Sequence, residues 1–196
     1  MLLDRRTYVV KERVAFAKLT DTYDLLDAAT GQPIGIAKEE PEAWAKWLRL
    51  IVNKKLMPTT VNVYEGQNEA SAVVSIRRGV AIFRPKVAVF LRGREIGSFQ
   101  AKAFSLGGAF RMFDAQGQEI GIVQGDWKGW NFAMTTAAGQ ELGRVTKKWA
   151  GIGKELFTSA DTYVIDLTDA DVAYQETAAM LLAAGLAIDT VFKESK

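Results

Sequence analysis

Four stretches of this chain repeat one pattern: an apolar run, a turn, a glycine, three residues, and a second glycine preceded by an aliphatic. They read DLLDAATGQPIGIAK (24–38), VFLRGREIGSFQAK (89–102), RMFDAQGQEIGIVQG (111–125) and FAMTTAAGQELGRVTK (132–147). The glycine pairs are Gly31 and Gly35, Gly93 and Gly97, Gly117 and Gly121, and Gly139 and Gly143. The first of each pair suits the positive φ of a tight β-turn. Ile34, Ile96, Ile120 or Leu142 then opens the return strand, and the second glycine signals a bulge or the close approach of another backbone. Residues 61–78 read as a fifth, degenerate hairpin. Consecutive hairpins with short turns form an antiparallel meander, either a sandwich or a closed barrel.

Two stretches break the β pattern. Around 42–54, Trp44, Trp47, Leu48 and Ile51 fall at helical spacing, with Pro41 before and Pro58 after. This predicts a short amphipathic helix. Its basic residues, Lys46, Arg49, Lys54 and Lys55, suit either a membrane surface or the closure of a barrel end.

The second break spans about 169–193 and is apolar or small on every face from Thr177 to Ile188. Such a helix is buried, in protein or in lipid. Twelve residues reach only ~18 Å, against a hydrocarbon core of roughly 30 Å. Glu176 and Asp189 bracket the run, so the reading is a slim helix threading a closed sheet. Gly185, mid-helix, then marks a place where a strand comes close. The fold expected is mainly β: a closed antiparallel barrel around a buried C-terminal helix, with residues 1–196 as a single domain.

Composition narrows the chemistry. The chain has no histidine and no cysteine, which removes imidazole bases, thiol nucleophiles, disulfides and zinc-thiolate sites. No carboxylate dyad or phosphate-cradling glycine loop stands out, and no enzymatic role is expected. The 25 basic and 23 acidic residues leave a formal charge of only +2, so no global grip on nucleic acid is expected. MLLDRRTYVV lacks a signal-peptide apolar core, and a cytoplasmic location, peripheral at the inner membrane face, is the expectation.

The C-terminal third resembles the phospholipid scramblase family. The resemblance rests on Lys147, Trp149, Gly151, Ile152, Glu155, Phe157, Thr158, Ala160 and Asp161, then Gly185, Ile188, Asp189 and Phe192. The upstream hairpins correspond in order. Scramblases belong with tubby-like and LURP-one-related proteins, and the resemblance implies a twelve-stranded barrel around a central helix. It also implies calcium as the cofactor to consider. Asp161, Asp166 and Asp169, with Asp171, are the weak candidates. Ser159 stands where the family's loop begins with an acidic residue, and Val164 where an EF-hand-like loop needs glycine. The expectation is therefore no resident metal or cofactor. With no cysteine to palmitoylate, acyl anchoring is not expected either.

Two basic clusters are candidate headgroup sites. Between 77 and 102 lie Arg77, Arg78, Arg84, Lys86, Arg92, Arg94 and Lys102, against Glu95 alone. The second sets Lys128, Lys147, Lys148 and Lys154 beside Trp127, Trp130 and Trp149. Guanidinium donates paired hydrogen bonds to phosphate, and Trp beside Lys suits a membrane interface. The functional expectation is a domain that contacts anionic phospholipid or phosphoinositide peripherally. Its rival is a soluble intracellular module for a protein or small-molecule partner, in which the same charges are a solvated outer face.

Overall fold

The computed structural model describes residues 1–13, 20–41, 44, 57–66, 69–79, 86–102, 108–126, 128–147, 162–168 and 174–189. Twelve strands run in chain order: β1 (Thr7–Glu12), β2 (Thr22–Asp27), β3 (Pro33–Glu39), β4 (Thr59–Glu65), β5 (Val74–Arg78), β6 (Lys86–Leu91), β7 (Arg94–Ala101), β8 (Ala109–Asp114), β9 (Glu119–Asp126), β10 (Asn131–Thr136), β11 (Glu141–Thr146) and β12 (Thr162–Leu167). Each pairs antiparallel with its chain neighbours, and β1 meets β12 with Val9 opposite Val164 to close the barrel. The sandwich alternative is thereby removed.

The glycine pairs build this wall. Gly31, Gly93, Gly117 and Gly139 all take φ between 69° and 84° in their turns. The second glycines sit at register shifts that leave Ile34, Ile96, Ile120 and Leu142 as the extra residue of a bulge. At each bulge the next strand presses in. A Cβ on Gly121 would stand 2.1 Å from the Thr135 carbonyl oxygen, and one on Gly97 2.4 Å from that of Phe113. Bulge and close approach are two aspects of one device, repeated around the barrel.

Inside runs helix α1 (Tyr174–Ala187), extended by a π-turn at Ile188 and Asp189. Every residue from Ala178 to Ile188 that carries a side chain is buried among inward-facing residues such as Val10, Val63, Val89 and Ile165. The Gly185 position faces β12: a Cβ there would meet Ile165 Cδ1 at 2.6 Å and Tyr163 Cε2 at 3.4 Å. Side chains, rather than strand backbone, take the room that its missing methyl leaves.

The tight turns of the four glycine-pair hairpins all lie at one end of the barrel, the turn end, where α1 begins. A 3-10 turn at Leu2–Asp4 plugs this end with Leu2 and Leu3, both buried. The Tyr8 hydroxyl ties the plug down by donating to the Leu2 and Arg5 carbonyls at 3.1 and 2.9 Å. At the far end, Trp130 packs on Tyr163 and edge-on to Phe132, with ring centroids 5.1 and 6.1 Å away. Outward positions include Lys11, Asp24, Lys38, Asn62, Arg77 and Arg111, while the inward ones are mostly apolar, with Asp27, Glu39 and Arg78 buried toward the barrel ends. This is the reverse of a membrane-spanning barrel. No helix among the described residues is long and apolar enough to cross a membrane. The helix expected near 42–54 lies outside the described residues, apart from Trp44, which is helical and half-exposed.

Candidate functional site

Strand alternation splits the first basic cluster. On β5, Ile76 and Arg78 point inward and Arg77 outward. Arg78 is only 5% exposed and donates from Nη2 to the Met57 carbonyl at 2.9 Å. It is an interior strut, so it drops out of any surface contact. Arg92 and Arg94 lie at the turn end, where Arg94 pairs with Glu176 and Arg92 bonds Gln175 at 3.3 Å. The six residues of β6 separate them from Lys86 by about 17 Å.

What remains shares one end of the barrel with the second cluster. Arg77 ends the outer face of β5, Lys86 opens β6, Lys102 follows β7, Lys128 sits in the β9–β10 turn, and Lys147 follows β11. These strands are consecutive neighbours in the barrel, so all five cations stand at the far end, spread along half of its rim from β5 to β11. Arg77 opposes Ala88, which makes Lys86 its diagonal neighbour on the same face, at roughly 7–8 Å between Cα atoms. Arg77 lies over the Phe90 ring at 4.5 Å, which braces the guanidinium without neutralising it. Lys147 lies over Trp130 at 4.7 Å. Trp130 itself has φ +48°, a left-handed conformation that costs a bulky residue strain and is held by its aromatic neighbours.

Among the described residues, Asp126 is the carboxylate within this stretch of the rim, and its oxygens receive the Lys128 and Gly129 amides at 2.9 and 2.8 Å. The opposite arc, on β1 to β3, is mixed: Glu12, Asp21, the buried Glu39 and Glu40 stand with Arg13, which pairs with Asp24 at 2.6 Å. Glu39 accepts the Thr59 hydroxyl at 2.6 Å, and Glu40 accepts Asn62 Nδ2 at 2.6 Å and the Tyr64 hydroxyl at 3.0 Å. Among the described residues, the far-end rim is thus richer in cations along β5 to β11 and richer in carboxylates along β1 to β3. Sequence reading missed this shared end because the two clusters are some 50 residues apart and only strand order brings them to the same rim. Arg84, Lys148 and Lys154 lie outside the described residues.

Beneath the rim, Tyr23 and Tyr163 are buried, and burial first, then the negative charge of Asp189, pushes both phenols well above their ordinary range. They are neutral packing residues, unsuited to proton transfer at neutral pH.

Of the calcium candidates, the structure describes only Asp166. Asp161, Asp169 and Asp171 lie outside the described residues. Asp166 is on β12 and accepts the Thr7 hydroxyl at 2.7 Å, stitching the closing strand pair. No group of three or more acidic side chains placed to hold a metal occurs among the described residues.

The sequence matches the family model described as Scramblase across residues 23–195. No curated protein and no solved structure matches it.

Proposed function

Because this chain belongs to the scramblase family, we propose that it is a non-enzymatic domain whose far-end rim associates with anionic phospholipid headgroups. The observation that carries this reading is the placement of Arg77, Lys86, Lys102, Lys128 and Lys147 at one end of the barrel. Among the described residues, no carboxylate forms a salt bridge with Arg77, Lys86 or Lys102. The driving force is electrostatic. Each cation near an anionic leaflet contributes ~1 kcal/mol, within a Debye length of about 10 Å at 0.1 M salt. Three to five such contacts give weak, reversible docking. The absence of His and Cys from the chain supports a binding rather than a catalytic role.

Vesicle co-sedimentation tests this. Binding is expected to phosphatidylserine or phosphoinositide vesicles at low salt and to fade toward about 0.5 M, where screening shortens to a few ångströms. Neutral phosphatidylcholine should capture nothing. Arg77→Gln/Lys86→Gln/Lys102→Gln should abolish the binding without altering the melt. Indifference to vesicle charge at low salt would overturn the lipid reading and favour a soluble module for a protein or small-molecule partner.

A further inference from the structure

A cavity of about 300 Å³ opens at the turn end, between the first turns of α1 and the wall of β7 to β11. It is remote from the basic rim. Its floor is Met112, Met134 and Met180, each at least 94% buried, and its walls include Ile96, Ile120 and Leu142. The last three are the extra residues of three successive bulges, so the repeat itself furnishes the lining. Three thioethers make a conformable surface with no strong hydrogen-bond donor. The size falls at the lower end of the range for ligand pockets. Ile120, a large aliphatic at the mouth, is 39% exposed.

The charges at the mouth say what head the occupant carries. Among the described residues, the ionisable ones lining the cavity are Asp114 and Glu176. Asp114 spends Oδ1 on the Gln116 and Gln118 amides, at 3.0 and 2.8 Å. Glu176 spends Oε1 on Arg94. Each retains a second carboxylate oxygen. We propose that this cavity binds the alkyl chain of a single-chain amphiphile whose cationic head meets Asp114 and Glu176. The site thus selects the charge opposite to that favoured by the far-end rim, so the two ends of the barrel respond to different partners.

The test titrates the full chain with decyltrimethylammonium, decanol and decyl sulfate below their micellar concentrations. Binding is read from the methyl NMR signals of ¹³C-labelled methionine. The chain has five methionines, and Met57, buried at the far end beside Arg78, is the internal control. Saturable shifts are expected at Met112, Met134 and Met180 and not at Met57. The cationic probe should bind roughly fivefold more tightly than decanol, as two partly exposed charge contacts allow. Asp114→Asn/Glu176→Gln should erase that preference while the alcohol still binds. Ile120→Asp, an exposed substitution that spares the core, should weaken decanol. No saturable shift, tighter binding of the sulfate at these methyls, or a preference unmoved by the double variant would each overturn the proposal.

Discussion

Asp27 shows how much one side chain does for a turn. Its Oδ1 accepts the Ala29 and Thr30 amides, both at 2.9 Å, while Arg5 reaches Oδ2 at 2.9 Å. Burial raises its pKa, but those bonds outweigh it, and the net position is below the ordinary carboxylate value. Asp27→Ala should cost about 2 kcal/mol at neutral pH, mostly through the lost amide bonds. A carboxyl whose folded pKa is depressed stabilises fully above its unfolded pKa, near 4, and loses that contribution as pH falls through the folded value. Urea titrations of both proteins should therefore show a gap that closes below about pH 4. A gap constant into strong acid would show that the ionised carboxylate is not what matters. At Gly185 the sequence reveals that room is needed but not what needs it. Since Ile165 Cδ1 is a mobile tip, Gly185→Ala should be nearly neutral, with helix propensity offsetting the squeeze. Gly185→Leu should lose about 2–3 kcal/mol by overpacking. Thermal melts of the two variants separate a fully enclosed helix from one with slack.

At the scale of elements, the repeated glycine pairs made the strands legible, because turn and bulge have local chemistry. The helix was legible for a different reason: it has no polar face, which only enclosure satisfies. Leu182 is fully buried, and its burial contributes ~1.5–3 kcal/mol out of a total of ~5–15. Leu182→Asp forfeits that and adds an unpaired buried charge costing several kcal/mol more. The variant should be insoluble or lack a cooperative melt. A soluble variant with a sharp transition would refute a packed barrel interior. The plug at Leu2 and Leu3 was not legible. Three residues carry no periodicity, and their burial depends on the Tyr8 hydroxyl folding back over them. Arg78 escaped for a related reason: adjacent arginines look alike in sequence, and alternation sends one in and one out.

The whole molecule is a barrel with two unlike ends, and only closure creates them. The sequence clusters at 77–102 and 128–154 straddled both ends; antiparallel order sorted Arg92 and Arg94 to the turn end and gathered Lys86, Lys102, Lys128 and Lys147 at the far one. If the rim is what meets anionic lipid, the barrel docks end-on, with its axis held by charge asymmetry. Because the chain has no cysteine, a single engineered thiol can carry an environment-sensitive dye without side labelling. Asn131→Cys sits exposed beside the β9–β10 turn at the far end, and Gln116→Cys is exposed in the β8–β9 turn at the opposite end. Helix and wall separate the two by about the length of β9, eight residues or roughly 25 Å, well beyond the ~10 Å over which surface charge acts in 0.1 M salt. On adding phosphatidylserine vesicles at low salt, the dye at 131 should shift to the blue and the dye at 116 should not. Raising the salt should reverse the first shift and leave the second unchanged. Equal shifts at both ends would mean that the barrel lies on its side, and a shift confined to 116 would assign the membrane to the turn end, against the charge of the rim.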